Sequence, residues 1–214
     1  MKLKWMIILL LSTPSFFAQE IDTDDSFTFE ISFPKGITNA SYIKIMQGLI
    51  QSSAHYQYAF NSGLCLGVGI HYTYFTINEF RVPSKVKGGI HTPALYMKVG
   101  HEKFWSEKFG TDVGVKFGYL QSFTVTDVLK SKEIPYNMVE GTYIEPSLSI
   151  ILKANVNSSY RLTFGYPIYG YSFTPWMIGI DSILGIDPKE YNKPSSLFSI
   201  GFAYTFYFNG LKQQ

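Results

Sequence analysis

A chain of 214 residues with 18 Lys and Arg against 16 Asp and Glu has a formal net charge of only +2, and its basic residues are dispersed. That balance excludes nucleic-acid binding through a basic face. Aromatic residues make up 17% and charged residues 16% of the chain, a generous supply of the first and too little of the second to coat a protein in water. One domain fits this length, and the single Cys65 excludes an internal disulfide.

The first residues read as an export signal. Lys2 and Lys4 precede an apolar run from Trp5 to Leu11, and Phe16-Phe17-Ala18 offers a small residue for signal peptidase. The run is too short to cross a bilayer as a helix, and Pro14 breaks it. Residues 1–18 are expected to be a cleaved signal peptide, and residues 19–214 one barrel domain. Nothing downstream reaches the roughly 18 uninterrupted apolar residues that a membrane helix needs.

The mature chain alternates with period two, the signature of strands with one apolar face. After an acidic leader, Glu20 to Asp25, the first strand sets Phe27, Phe29, Ile31 and Phe33 against Thr28, Glu30 and Ser32 and ends at Pro34-Lys35-Gly36. The second, Met46 to Phe60, keeps Ile50, Tyr56, Tyr58 and Phe60 in phase but is weak in its middle, where Ser52 and Ala54 fall on the apolar face. Asn61-Ser62-Gly63 supplies a tight turn. The third strand opposes Leu64, Leu66, Val68, Ile70, Tyr72 and Tyr74 to Cys65, Gly67, Gly69, His71 and Thr73. A loop over about residues 78–91 leads to the fourth, Thr92 to Phe104, with Leu95, Met97 and Val99 outward.

The fifth strand, about Gly110 to Phe123, shows Val113, Val115, Phe117 and Tyr119 opposite Asp112, Gly114, Lys116 and Gly118. A polar loop over about residues 126–140 precedes the sixth, Gly141 to Lys153, where Pro146 cannot donate to a ladder. The seventh runs from Ser159 to about Phe173, with Arg161, Thr163, Gly165 and Tyr169 inward. The last, Leu197 to Phe208, alternates six apolar or aromatic residues with Ser199, Gly201, Ala203, Thr205 and Tyr207.

The pattern predicts an all-β fold: a closed eight-stranded antiparallel up-and-down transmembrane β-barrel. Connections alternate between short, near Asn61, Ser106 and Asn157, and long, near residues 34–45, 78–91, 126–140 and 174–196, as expected of a barrel with turns at one end and loops at the other. Closure leaves no unpaired edge in lipid. A soluble lipocalin-like periplasmic barrel is the alternative; it would need a charged second face, whereas that face here is mostly Gly, Ser and Thr. Signal peptide, eight alternating strands, short turns against long loops and an aromatic final strand resemble the small bacterial outer-membrane barrels, the group containing OmpX, OmpW and the OmpA membrane domain. The resemblance covers nearly all of the mature chain and is architectural, so it implies outer-membrane residence and assembly by the barrel-insertion machinery but carries over no functional residue.

An eight-stranded barrel is just wide enough to be filled by its own side chains. The inward charges are Glu30, Glu102, Asp112 and Glu145 against Lys98, Lys116, Lys153 and Arg161. Glu102, Asp112, Lys153 and Arg161 are expected near the turn end, and Glu30, Lys98, Lys116 and Glu145 nearer mid-height, each layer neutral, because burying an unpaired charge costs several kcal/mol. This network would plug the lumen; a narrow pore for ions or small solutes is the rival reading.

His55 and His71 point inward without a Cys or carboxylate at ligand spacing, so no metal and no cofactor is expected. His91 and His101 stand in or beside the fourth strand without a serine and an acid placed by it, so no catalytic residue is assigned; a lipid-modifying enzyme working at the rim stays as an alternative. Asp181 and Asp187 miss the calcium-loop pattern, and Asn39-Ala40-Ser41 matches a glycosylation sequon by chance. Arg81, Lys85 and Lys87 would meet anionic lipopolysaccharide, or merely solvate a loop. The last loop is oddly apolar, with Trp176, Met177, Ile178, Ile180, Ile183, Leu184 and Ile186. It is expected either to fold over the mouth as a lid or to meet lipid or an external partner. The leading functional expectation is a monomeric, non-enzymatic outer-membrane barrel acting through its loops in envelope integrity, adhesion or small-ligand contact.

Overall fold

The computed structural model describes residues 21–22, 24–82, 85–182, 185, 187–209 and 212–213. The expected signal peptide, Ile183, Leu184 and Ile186 lie outside these described residues. Eight antiparallel strands follow one another around a closed sheet: β1 Ser26–Gly36, β2 Met46–Ala59, β3 Leu64–Ile77, β4 Gly88–Phe104, β5 Phe109–Thr126, β6 Asn137–Asn155, β7 Ser158–Gly165 and β8 Ser195–Tyr207. Each pairs with the next, and β8 returns to β1 from Leu197↔Gly36 to Tyr207↔Ser26, so the sheet closes on itself.

The two faces separate as the period-two pattern requires. Phe27, Ile70, Leu95, Phe117, Leu148 and Phe202 stand exposed on the outside, Phe202 at 71%, while Thr28, His71, Lys98, Lys116, Glu145 and Thr205 are buried inside. An apolar belt this wide, running around every strand, is stable only against lipid. Aromatic side chains rim it, with Tyr56, Tyr58, Phe206 and Phe208 at the turn end and Tyr72, Tyr74 and Tyr119 toward the loop end. Among the described residues no helix is long and apolar enough to cross a membrane.

Three stretches depart from the sequence reading. β4 begins at Gly88 and β6 at Asn137, because the β4–β5–β6 ladders continue above the belt through Gly88↔Thr126 and Thr124↔Asn137; the glycines and polar residues there imitate a loop. β7 instead stops at Gly165, where the β6–β7 ladder ends at Ser147↔Gly165 beside Pro146, and Pro167 has no N–H to extend it. Ile168–Tyr169 makes one last pairing, with Tyr143 and Ile144 on one side and Ser195 and Ser196 on the other, before the chain turns into the barrel mouth. In the second strand Ser52 and Ala54 keep their expected outward parity, and the irregularity lies nearer its start: the register against β3 shifts between Gly48 and Ile50, so Met46 is buried although its parity matches the outward Ile50.

Two of the long loops carry short capped helices. Helix α1, Ala40–Ile45, starts at Asn39, whose side chain accepts from the Ser41 and Tyr42 amides. Helix α2, Asp127–Ser131, starts at Thr126, whose hydroxyl accepts from the Leu129 amide. Beyond Phe208 the chain pairs outside the wall, Lys212–Gln213 against Ile21–Asp22.

Candidate functional site: the charged lumen and its apolar cap

Seven charged side chains meet inside the wall in two layers. In the lower layer Lys98 and Asp112 stand on neighbouring strands, with Nζ 2.5 Å from Oδ2. Arg161 on β7 donates to the same Oδ2 at 2.7 Å and to Glu102 Oε2 at 2.9 Å. Gln57 completes the circuit, accepting from Lys98 at 2.7 Å and donating to Glu102 at 3.1 Å. Tyr207 donates to the other Glu102 oxygen at 2.8 Å. Glu102 and Asp112 face each other directly in the β4–β5 register; the single guanidinium reaching both removes the repulsion.

In the upper layer Lys116 Nζ lies 2.8 Å from Glu145 Oε1, its register partner on β6, and 3.2 Å from Glu30 Oε2 on β1. Here two carboxylates share one ammonium. The excess negative charge is spread over hydroxyl donors: Ser53 and Thr163 donate to Glu30 at 3.3 and 3.1 Å, and Tyr143 donates to Glu145. Room for the Glu145 head comes from the facing strand, since a Cβ on Gly165 would fall 2.9 Å from Glu145 Oε1. A void of about 10 Å³ lined by Glu30, His55, Lys98, Asp112, Lys116 and Arg161 lies between the layers.

Parity alone sets Lys153 in this network, and the structure corrects that. Lys153 is half-buried at the turn end and forms no ion pair among the described residues. Ser149 is level with Asp112, and Lys153 lies four residues further down the strand, about 13 Å away at strand rise. The buried inventory among the described residues is therefore four carboxylates against three cations, not four of each, and Lys98, level with Lys116 in the ladder as expected, reaches down to Asp112 in the lower layer.

The histidines are bound into the same scaffold. His71 sits between the Tyr143 hydroxyl, 3.2 Å from Nδ1, and the Thr73 hydroxyl, 2.6 Å from Nε2. Because the Tyr143 proton goes to Glu145, His71 Nδ1–H donates to Tyr143 and Nε2 accepts from Thr73. Thr73 in turn contacts the Tyr169 hydroxyl at 2.9 Å, so one hydrogen-bonded chain joins the upper layer to the base of the last loop. His55 bonds Tyr96 at 3.2 Å, His91 bonds Tyr72 on the outer face at 2.7 Å, and His101 meets the Ser62 carbonyl at 3.1 Å. Among the described residues no group of His, Cys, Asp or Glu could hold a metal ion.

Above the ions the lumen turns apolar. After β7 the chain folds inward, and Tyr169, Phe173, Met177 and Ile178 are buried against Tyr42 and Ile45 of α1, Phe75 of β3 and Leu120 of β5. Ile180 packs partly on this cluster, whereas Trp176 is 64% exposed. Polar clamps hold the loop from several elements. The buried Asn39 amide donates to the Phe173, Tyr191 and Lys193 carbonyls at 3.2, 3.3 and 3.0 Å. Thr126 donates to Ile178 O at 3.1 Å, and Lys132 to Gly179 O at 2.9 Å. Tyr42 and Tyr171 hydroxyls meet at 2.8 Å, and burial, with each beside other phenols, raises the Tyr42 phenol well above its ordinary pKa. The sequence shows Asn39 only as the start of a chance glycosylation sequon, because its partners in the last loop are more than 130 positions away.

The three cations of the second loop have different surroundings. Lys87 stands 3.7 Å from Glu79, Arg81 donates to Lys44 O at 3.2 Å, and Lys85 is exposed in a left-handed conformation, φ 49°.

The apolar outer belt and the closed wall define a small eight-stranded β-barrel of the outer-membrane type. No protein-family model and no curated protein matches the sequence. Among solved structures the fold is similar to Neisserial surface protein A, at 8% identity and a TM-score of 0.53, covering 86% of this chain and 97% of that one. Similar too are the attachment invasion locus protein Ail of Yersinia pestis, at 8% identity and TM-score 0.49 over 86% and 99% of the chains, and OprG from Pseudomonas aeruginosa, at 9% identity and TM-score 0.49 over 90% and 100%.

Proposed function

We propose that this protein resides in the bacterial outer membrane, exported through a signal peptide at residues 1–18, as a monomeric barrel that neither conducts nor catalyses and works through its extracellular loops, in envelope integrity, adhesion or small-ligand contact. The observation that carries this reading is the double closure of the lumen: two crossed ion-pair layers with about 10 Å³ between them, and over them an apolar cap clamped by Asn39. A hydrated ion needs far more room than one water site. The outward-facing loops supply the contact surface, with Phe80 of the second loop fully exposed and Trp176 of the cap at 64%.

Planar-bilayer recording tests it. The purified barrel is expected to give no sustained current, and Lys116→Ala should give none that the wild type lacks except through unfolding, visible as lost heat-modifiable gel mobility. A steady open-channel current in the wild type, altered by Lys116→Ala in a folded barrel, would establish the pore instead.

A further inference from the structure

The seam between β1 and β2 opens at its loop end. Their ladder runs from Ser26↔Gln57 only to Ser32↔Gln51, although β1 stays paired with β8 up to Gly36 and β2 with β3 up to Met46. Pro34 has no N–H to continue the ladder, and the register shift in β2 falls opposite it. Each strand therefore follows its other neighbour, and an open cleft of about 500 Å³ forms under α1 and the second loop, lined among others by Lys35, Arg81, Tyr42, Ile43, Asn78 and Gly48. The floor is sealed: a Cβ on Gly48 would fall 1.9 Å from the Pro34 carbonyl oxygen, so only glycine lets the backbones meet there. The cleft is a niche on the outer flank, not a hole into the lumen.

Its charge and its height point the same way. Lys35 and Arg81 are the charged lining residues, and among the described residues neither pairs with a carboxylate; Arg81 meets only the Lys44 carbonyl. Below Lys35 the outward positions of β1 are Phe33, Ile31, Phe29 and Phe27, all exposed to the lipid side, Phe33 at 62%. The register partner of Lys35 on β8 is Phe198, the uppermost exposed apolar residue of that strand. Lys35 thus marks the plane where lipid tails give way to head groups, and the cleft opens at that plane, with Ile43 and Leu49 exposed beside it.

We infer that the β1–β2 cleft binds a lipid head group that carries a phosphomonoester in the surrounding leaflet, Lys35 and Arg81 holding the phosphate while Phe33 and Leu49 line the path of its acyl chain. The volume suits a small polar head, and guanidinium with ammonium is the pair that recognises phosphate in a partly desolvated site. The inference rests on the barrel being lipid-embedded and is independent of whether the lumen conducts.

The test is native mass spectrometry of the barrel released from phosphatidylcholine nanodiscs containing lipid A as a minor component. The wild type is expected to retain one lipid A in preference to phosphatidylcholine, the Lys35→Ala/Arg81→Ala variant at least about tenfold less, the loss of roughly one charge-assisted hydrogen bond, and the Lys85→Ala/Lys87→Ala variant as much as the wild type. Heat-modifiable mobility reports folding, and Lys35→Gln alone serves should the double variant fail to fold. Equal retention by the cleft variants, or equal loss in the Lys85/Lys87 control, would overturn the site. Displacement of lipid A by inorganic phosphate at matched concentration would assign the cleft to a free anion and overturn the lipid. A protein that stayed soluble without detergent would defeat the membrane reading itself.

Discussion

Lys98 and Lys116 face each other across the β4–β5 ladder, and each turns to a different carboxylate: Lys98 to Asp112 at 2.5 Å and Lys116 to Glu145 at 2.8 Å. Two like charges in direct register repel, and divergence of the two side chains is what splits the lumen charges into an upper and a lower layer.

Lys116 is the only cation among the described residues of the upper layer, so its loss leaves Glu30 and Glu145 buried and mutually repelling. Lys116→Met should destabilise the folded barrel by about 3–5 kcal/mol, and adding Glu145→Gln should recover a large part of it. Lys153→Met, at the rim and outside the network, should stay within about 0.5 kcal/mol. Urea unfolding in lipid vesicles, followed by gel mobility, reads all three; an equal cost at positions 116 and 153 would contradict the corrected inventory.

Asn39 serves two ends with one side chain, accepting from α1 amides and donating to three carbonyls of the last loop. Asn39→Asp keeps the acceptor and loses the donors. It should leave α1 capped while the last loop becomes cleavable by added protease many times faster, with the trypsin-resistant barrel intact. Asn39→Ala should release both, at a cost of about 1–3 kcal/mol. A loop as resistant in Asn39→Asp as in the wild type would mean that the apolar contacts alone hold it.

The cap should be alkali-sensitive. Burial raises the phenols of Tyr42 and Tyr171, which lie outside the membrane belt. A raised folded pKa means that their contribution is whole below the unfolded value of about 10 and is lost as pH climbs from there toward the folded value. Fluorescence of the exposed Trp176, titrated upward from neutral pH, should therefore stay flat to about pH 10 and change above it, with a smaller change in Tyr42→Phe. Opening well below pH 10 would place the control elsewhere.

Much of the fold is legible in the chain because a strand buries every second residue, and lipid on one side with a crowded lumen on the other makes both faces obligatory. Phe202 had to face out and Glu145 in, whatever their neighbours. Strand ends were less legible where pairing overrides local composition: Gly88 and Asn137 extend the wall because the β4–β5–β6 ladders continue above the belt, and β7 stops at Gly165 because two prolines withhold donors.

Sequence by itself determined which way the strand side chains point wherever the register is unbroken, since parity along a strand is local; Met46, beyond the shift in β2, is the exception. Only the tertiary structure decided what each inward charge meets. Register and height are properties of strand pairs, so Lys153 fell below the network and Lys98 joined Asp112. Asn39 found its loop across most of the chain, and the β1–β2 seam opened because each strand is held harder by its other neighbour.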